Sequence, residues 1–114
     1  MIVNKLVKNN IEIFVLNYDG TFLSSPAHPE FIGTNQLNYQ DTSGVFVVRE
    51  EIEKAKAGGG WLKGRWRFNP QTQEYGCRKI YIMPMKKEYL IGSWYFYPFN
   101  KEMPKAEQQA ACAL

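Results

Sequence analysis

The chain holds a single histidine, His28, and only two cysteines, Cys77 and Cys112. One imidazole and two thiols cannot assemble a zinc site of the usual ligand spacing. Two cysteines so far apart, one of them near the end of the chain, define no disulfide framework. No apolar run approaches the ~20 residues that a membrane-spanning helix needs. Residues 1–10 carry Lys5 and Lys8 but no apolar stretch and no small-residue cleavage site, so no signal peptide is legible there. Enzyme signatures are missing too. There is no G-x-S-x-G elbow, no glycine-rich phosphate loop with Lys-Ser/Thr and no paired-histidine metal motif. With no nucleophile–base pair to name, the sequence reads as non-catalytic, with no cofactor and no metal.

What is present fits one domain: 114 residues, 45% apolar and 22% charged, a composition that excludes wholesale disorder. Aromatic residues reach 15%, which favours a sheet with a pocket or interface over a plain helical bundle. The net charge of +3 is unevenly spread. Residues 1–57 carry five Lys/Arg against seven Asp/Glu, residues 58–90 seven against two, and the remainder is neutral. The basic surplus therefore has one address, and it invites an anionic partner.

Ile2, Val3, Leu6 and Val7 form a helical stripe over residues 1–10, which reads as the end of an N-terminal helix. Residues 11–16 read as a strand, Asn17-Tyr18-Asp19-Gly20 as a turn and residues 21–24 as its return, a hairpin. Residues 25–40, with Pro26, Pro29 and Gly33, read as loop. Asp41-Thr42-Ser43-Gly44 supplies N-cap residues for an amphipathic helix. Its apolar stripe is Val45, Val48, Ile52 and Ala55, and its acids Glu50, Glu51 and Glu53 fall on the wet side. Gly58-Gly59-Gly60 ends it. Three strands follow, over residues 61–68, 77–85 and 89–97, and residues 103–114 read as a frayed helix or a tether. The order predicts an α+β fold: an antiparallel sheet of about five strands with helices packed on one side. The division is 1–10, a domain over 11–98, and a tail or tether over 99–114.

The 61–68 strand is the most informative. Alternation puts Trp61, Lys63, Arg65 and Arg67 on one face and Leu62, Gly64, Trp66 and Phe68 on the other. The cationic face reads as a solvated strand surface, as an anion site in which Arg forks match a carboxylate or phosphate, or as a nucleic-acid surface. A surplus spread over 33 residues is modest for the last of these. Arg78 and Lys79 add two cations on the next strand, only one of which can join a given pocket.

Several runs resemble single Cache domains, the extracytoplasmic sensor modules of bacterial chemoreceptors and sensor kinases. They are Asn17–Gly20, Ala27-His28-Pro29, Ile32-Gly33-Thr34-Asn35, Asp41-Thr42-Ser43-Gly44, Glu51–Ala55, Gly60-Trp61-Leu62 with Trp66, Asn69-Pro70-Gln71-Thr72, Arg78 to Ile82, and Ile91-Gly92-Ser93. The likeness covers roughly residues 11–97. It implies a PAS-like fold with a pocket for a small organic acid such as pyruvate, lactate or acetate, serving signal transduction and chemotaxis outside the cytoplasm. By position Arg78 is the carboxylate partner, Trp61 and Trp66 fill aromatic slots, and Tyr81 and His28 match a strand tyrosine and a loop histidine. Two departures stand out. Gly64 falls in the family's tyrosine slot if Trp66 is its second aromatic; if an extra residue lies earlier, Arg65 and Arg67 take those two slots. Trp94 replaces a glycine, and its indole is placed to fill part of the pocket. The rival readings are an interaction or dimerisation module with a filled pocket, homodimer included, and a nucleic-acid binder; the resemblance itself implies no nucleic acid and no membrane insertion by this chain.

Overall fold

The computed structural model describes residues 11–114, so the helix end expected over residues 1–10 lies outside the described residues. Six strands form one sheet: β1 (Ile11–Asn17), β2 (Phe22–Ser24), β3 (Gly60–Trp61), β4 (Arg65–Asn69), β5 (Glu74–Met85) and β6 (Tyr89–Phe96). Their order is β2-β1-β6-β5-β3, with β4 beside β5, and every pair is antiparallel. The two helices among the described residues are α1 (Val47–Lys56) and α2 (Lys105–Cys112), with a short 3-10 turn at Pro29–Phe31.

The hairpin forms where the turn residues placed it, and Asp19 Oδ1 accepts a hydrogen bond from the Thr21 amide at 2.8 Å. Helix α1 begins two residues later than its apolar stripe suggests. Asp41 does not cap it: Asp41 Oδ1 instead accepts the amides of Ser43 and Val45 in the preceding turn. The core lies between α1 and one sheet face, where Val48, Ile52 and Ala55 meet Phe14, Leu16, Ile82 and Leu90. Each fully buried aliphatic chain contributes about 1.5–3 kcal/mol. Gly92 is required here, because a Cβ on it would stand 2.0 Å from the ring of Phe14.

The expected single strand over 61–68 is two strands, and the reason is one extra residue. Gly60 pairs with Ile82 and Arg65 with Arg78, a step of five residues against four. The surplus residue sits among 62–64, and because side chains alternate, such a slip moves everything beyond it to the other face. Trp61, opposite Tyr81, and Arg65, opposite Arg78, therefore face opposite sides of the sheet. The alternation that put Trp61 with Arg65 and Arg67 is corrected on this point.

The cysteines pair. Cys77 on β5 and Cys112 at the end of α2 form a disulfide, both essentially buried. Residues 105–112 are thus a docked helix, and it lies on the sheet face opposite α1, since Cys77 and Arg78 point to opposite sides. Gly64 admits this packing: a Cβ there would stand 2.6 Å from the Cys112 carbonyl oxygen.

Candidate ligand-binding site

One face of the sheet, the 25–42 loop and α1 enclose a cavity of about 210 Å³. Its floor is a row across three strands, Glu12 on β1, Trp94 on β6 and Ile80 on β5, registered side by side. Phe14, Phe22 and Val48 supply an apolar end, and His28, Tyr39 and Thr42 come from the loop. Helix α1 holds the loop in place: Arg49 donates through Nε to the Leu37 carbonyl at 2.9 Å and through Nη2 to Asn38 Oδ1 at 2.6 Å.

Arg78 dominates the cavity electrostatically. Its guanidinium lies 4.9 Å from the Trp94 ring centroid, so the indole forms a cation–π shelf beneath it rather than a plug. Arg78 Nε is buried without a hydrogen-bond partner, and among the described residues no carboxylate lies within ion-pair distance. Burial first, and then the charge of Arg67, push Arg78 below its ordinary value. It nevertheless stays cationic, as arginine does in proteins.

Arg65 and Arg67 share the face of Arg78 but are engaged elsewhere. Arg67 Nη2 donates to Asp41 Oδ2, and Arg65 donates to Asp41 at 3.4 Å and to Glu50. These contacts also relieve the like-charge pairing of Arg65 directly opposite Arg78, which is unfavourable on its own. Asp41 suffers desolvation, yet its two backbone hydrogen bonds and the arginines hold it below the usual carboxylate value.

Two acids complete the site. Glu51 on α1 is 6% exposed and lines the cavity, although the sequence put it on the wet side of the helix. Desolvation pushes it up to about 8 against the pull of Arg78, so it keeps its proton at neutral pH. Glu12 is 7% exposed; burial raises its value, with His28 and Arg78 acting the other way.

The structure thus brings Arg78, Arg67 and His28 to one cavity. His28 is exposed at its mouth, stacked on Phe31 at 4.9 Å with Nδ1 3.1 Å from Glu30 Oε1. Arg65 stands just behind. Trp61, Trp66 and Tyr81 are not in the cavity. Trp66 pairs opposite Cys77 on the other face, and Trp61 packs edge-on against Tyr81 at 5.1 Å and Tyr95 at 5.9 Å. Lys79 points to that side too, with Nζ 4.3 Å from the Tyr97 centroid, as alternation from Arg78 requires. Among the described residues no cluster of His, Cys, Asp and Glu is arranged to hold a metal ion. No helix there is long and apolar enough to cross a membrane.

An antiparallel sheet with one face closed by a helix and a long loop around a small polar-ended cavity is a PAS-like architecture. The chain belongs to the Cache domain family, whose family model (dCache_2) matches residues 2–104. It is 31% identical over 81 residues to the sensor histidine kinase MctS of Rhizobium johnstonii, an overlap of 70% of this chain and 17% of the kinase. A methyl-accepting chemotaxis protein of Vibrio parahaemolyticus superposes with a TM-score of 0.68 at 18% identity, over 83% of this chain and 65% of that one. A Cache chemosensory domain described for carboxylic acid recognition superposes at 0.66 with 20% identity, over 83% and 69%. The chain therefore spans only part of the length of these proteins. Cache domains are sensor domains of chemoreceptors and sensor kinases and are typically non-catalytic, which gives this chain a sensing role.

Proposed function

We propose that this domain senses a small organic acid whose carboxylate is held by Arg78 above Trp94. The observation that carries this reading is Arg78, a half-buried side chain that lines the cavity and whose buried Nε has no hydrogen-bond partner. A buried charge is costly unless paired and hydrogen-bonded, and a carboxylate offers a planar guanidinium two parallel acceptors. The volume of about 210 Å³ lies below the roughly 300 Å³ at which pockets for drug-sized molecules begin, which favours a ligand of a few heavy atoms. Nucleic acid is disfavoured because Arg65 and Arg67 are already engaged by Asp41 and Glu50. The Cys77–Cys112 disulfide supports an oxidising, extracytoplasmic setting, where such bonds persist. Joined to a kinase or chemoreceptor output, as in the relatives it matches, such a domain would report ligand occupancy to that output.

The test is thermal unfolding with acetate, pyruvate and lactate. A ligand that binds only the folded state raises Tm with concentration, and Arg78→Ala should remove that rise. An unchanged wild-type Tm at saturating concentrations of all three would sink the proposal.

A further inference from the structure

Glu12 stands across the cavity floor from Arg78. It rises from β1 and Arg78 from β5, strands that flank β6 and run about 10 Å apart, two strand spacings, with Arg78 two residues along β5 from the position level with Glu12. Trp94 lies between them, paired with Glu12 on one side and with Ile80 on the other. Glu12 is 7% exposed, lines the cavity, and its Oε2 has no hydrogen-bond partner. Arg78 Nε is in the same condition. An unmet acceptor and an unmet donor thus belong to two side chains that line one small cavity, and buried polar groups are ordinarily satisfied.

We propose that Glu12 is a specificity-determining residue of this cavity: its free carboxyl oxygen accepts a hydrogen bond from a hydroxyl or ammonium group on the same ligand whose carboxylate Arg78 holds. The inference rests on the carboxylate reading above and adds the ligand's second end. A plain fatty acid meets Arg78 but leaves Glu12 orphaned. A dicarboxylate of the same length brings a second anion against Glu12. The other titratable groups near the cavity do not take this role, since Asp41 is bound to Arg67, His28 sits at the mouth beside Glu30, and Glu51 on α1 keeps its proton at neutral pH.

Isothermal titration of the protein with propionate, lactate, L-alanine and succinate tests this, using wild type, Glu12→Met and Glu12→Gln. Lactate or alanine should bind wild type about tenfold or more tightly than propionate, because the shorter-handed acid leaves a buried acceptor unpaired. Succinate should be rejected. Glu12→Met, which removes the acceptor, should close the gap between propionate and the preferred acid. Glu12→Gln keeps an acceptor oxygen without the charge, so it should preserve a preference for a hydroxyl and lose one for an ammonium group. If propionate binds wild type as tightly as lactate and alanine do, the role of Glu12 is overturned while the carboxylate reading stands. A preference that survives Glu12→Met also overturns it. If none of the four acids binds wild type, both readings fall.

Discussion

Cys77 and Arg78 are neighbours on β5 that serve opposite sides of the sheet: Arg78 enters the cavity, and Cys77 is covalently joined to Cys112 of the C-terminal helix. The strand that carries the main cationic group of the site is therefore also the anchor of the chain's last helix.

Breaking that bond should cost the folded state roughly 2–4 kcal/mol, the usual effect of opening a loop of this order; here 35 residues separate the cysteines. Urea unfolding with and without a reducing agent measures it, and Cys112→Ser should match the reduced protein. An unchanged midpoint would mean that α2 contributes nothing through this link.

Stability should fall as pH rises through the neutral range toward 8. In the unfolded chain Glu51 loses its proton near the ordinary value of 4.5, whereas in the folded protein it keeps it to about 8. The contribution of protonated Glu51 is thus complete below about 4.5 and is lost as pH approaches 8. Glu12, also raised, acts in the same direction. Asp41, held low, supports the fold above its ordinary value of 3.8 and loses that contribution in stronger acid. Tm measured from pH 4 to 9 should therefore decline over the neutral range, and Glu51→Gln should flatten that decline.

The same ionisation should weaken anion binding. Above about pH 8 a charged Glu51 neutralises Arg78 and repels a carboxylate, so lactate affinity should drop there in wild type and drop less in Glu51→Gln. Equal pH profiles for the two proteins would exclude Glu51 from the site's electrostatics.

Gly92→Ala should destabilise by about 1–3 kcal/mol, as overpacking does, because the new methyl would stand 2.0 Å from the Phe14 ring. Phe14→Leu in the same chain should recover part of the loss. Additive losses would show that the two positions do not meet.

The aromatic residues of the outer face give a further check. Trp61→Ala and Tyr81→Ala should leave any lactate-dependent rise in Tm intact, whereas Arg78→Ala should remove it. A loss of response in Trp61→Ala would contradict the sidedness described above.

Much of this was legible in the residues. The Asp19-Gly20 turn, the stripe of Val48, Ile52 and Ala55, and the split of Arg78 from Lys79 follow from turn chemistry and periodicity alone. Charge places Glu51 on the wet side of the helix, but it stands three residues after Val48 and four before Ala55, on the buried stripe itself, and there position outranks charge. Glu12 likewise shares a face with Phe14 and Leu16 by simple alternation. The pairing of Cys77 with Cys112 has no such signal, because sequence separation says nothing about which strand a distant helix docks against. The loop residues that shape the cavity, Ser25 through Thr42, follow no period at all.

The surplus residue among 62–64 has a consequence for how this domain can change. Gly60 pairs with Ile82 and Arg65 with Arg78, so with one position fewer the two steps would match at four and both registers would persist in one unbroken strand. Arg65 and Arg67 would keep their side of the sheet and their contacts with Asp41 and Glu50. This is thus a place where the chain can lose a residue, provided Gly64 is retained against Cys112, and leave the wall beside Arg78 intact.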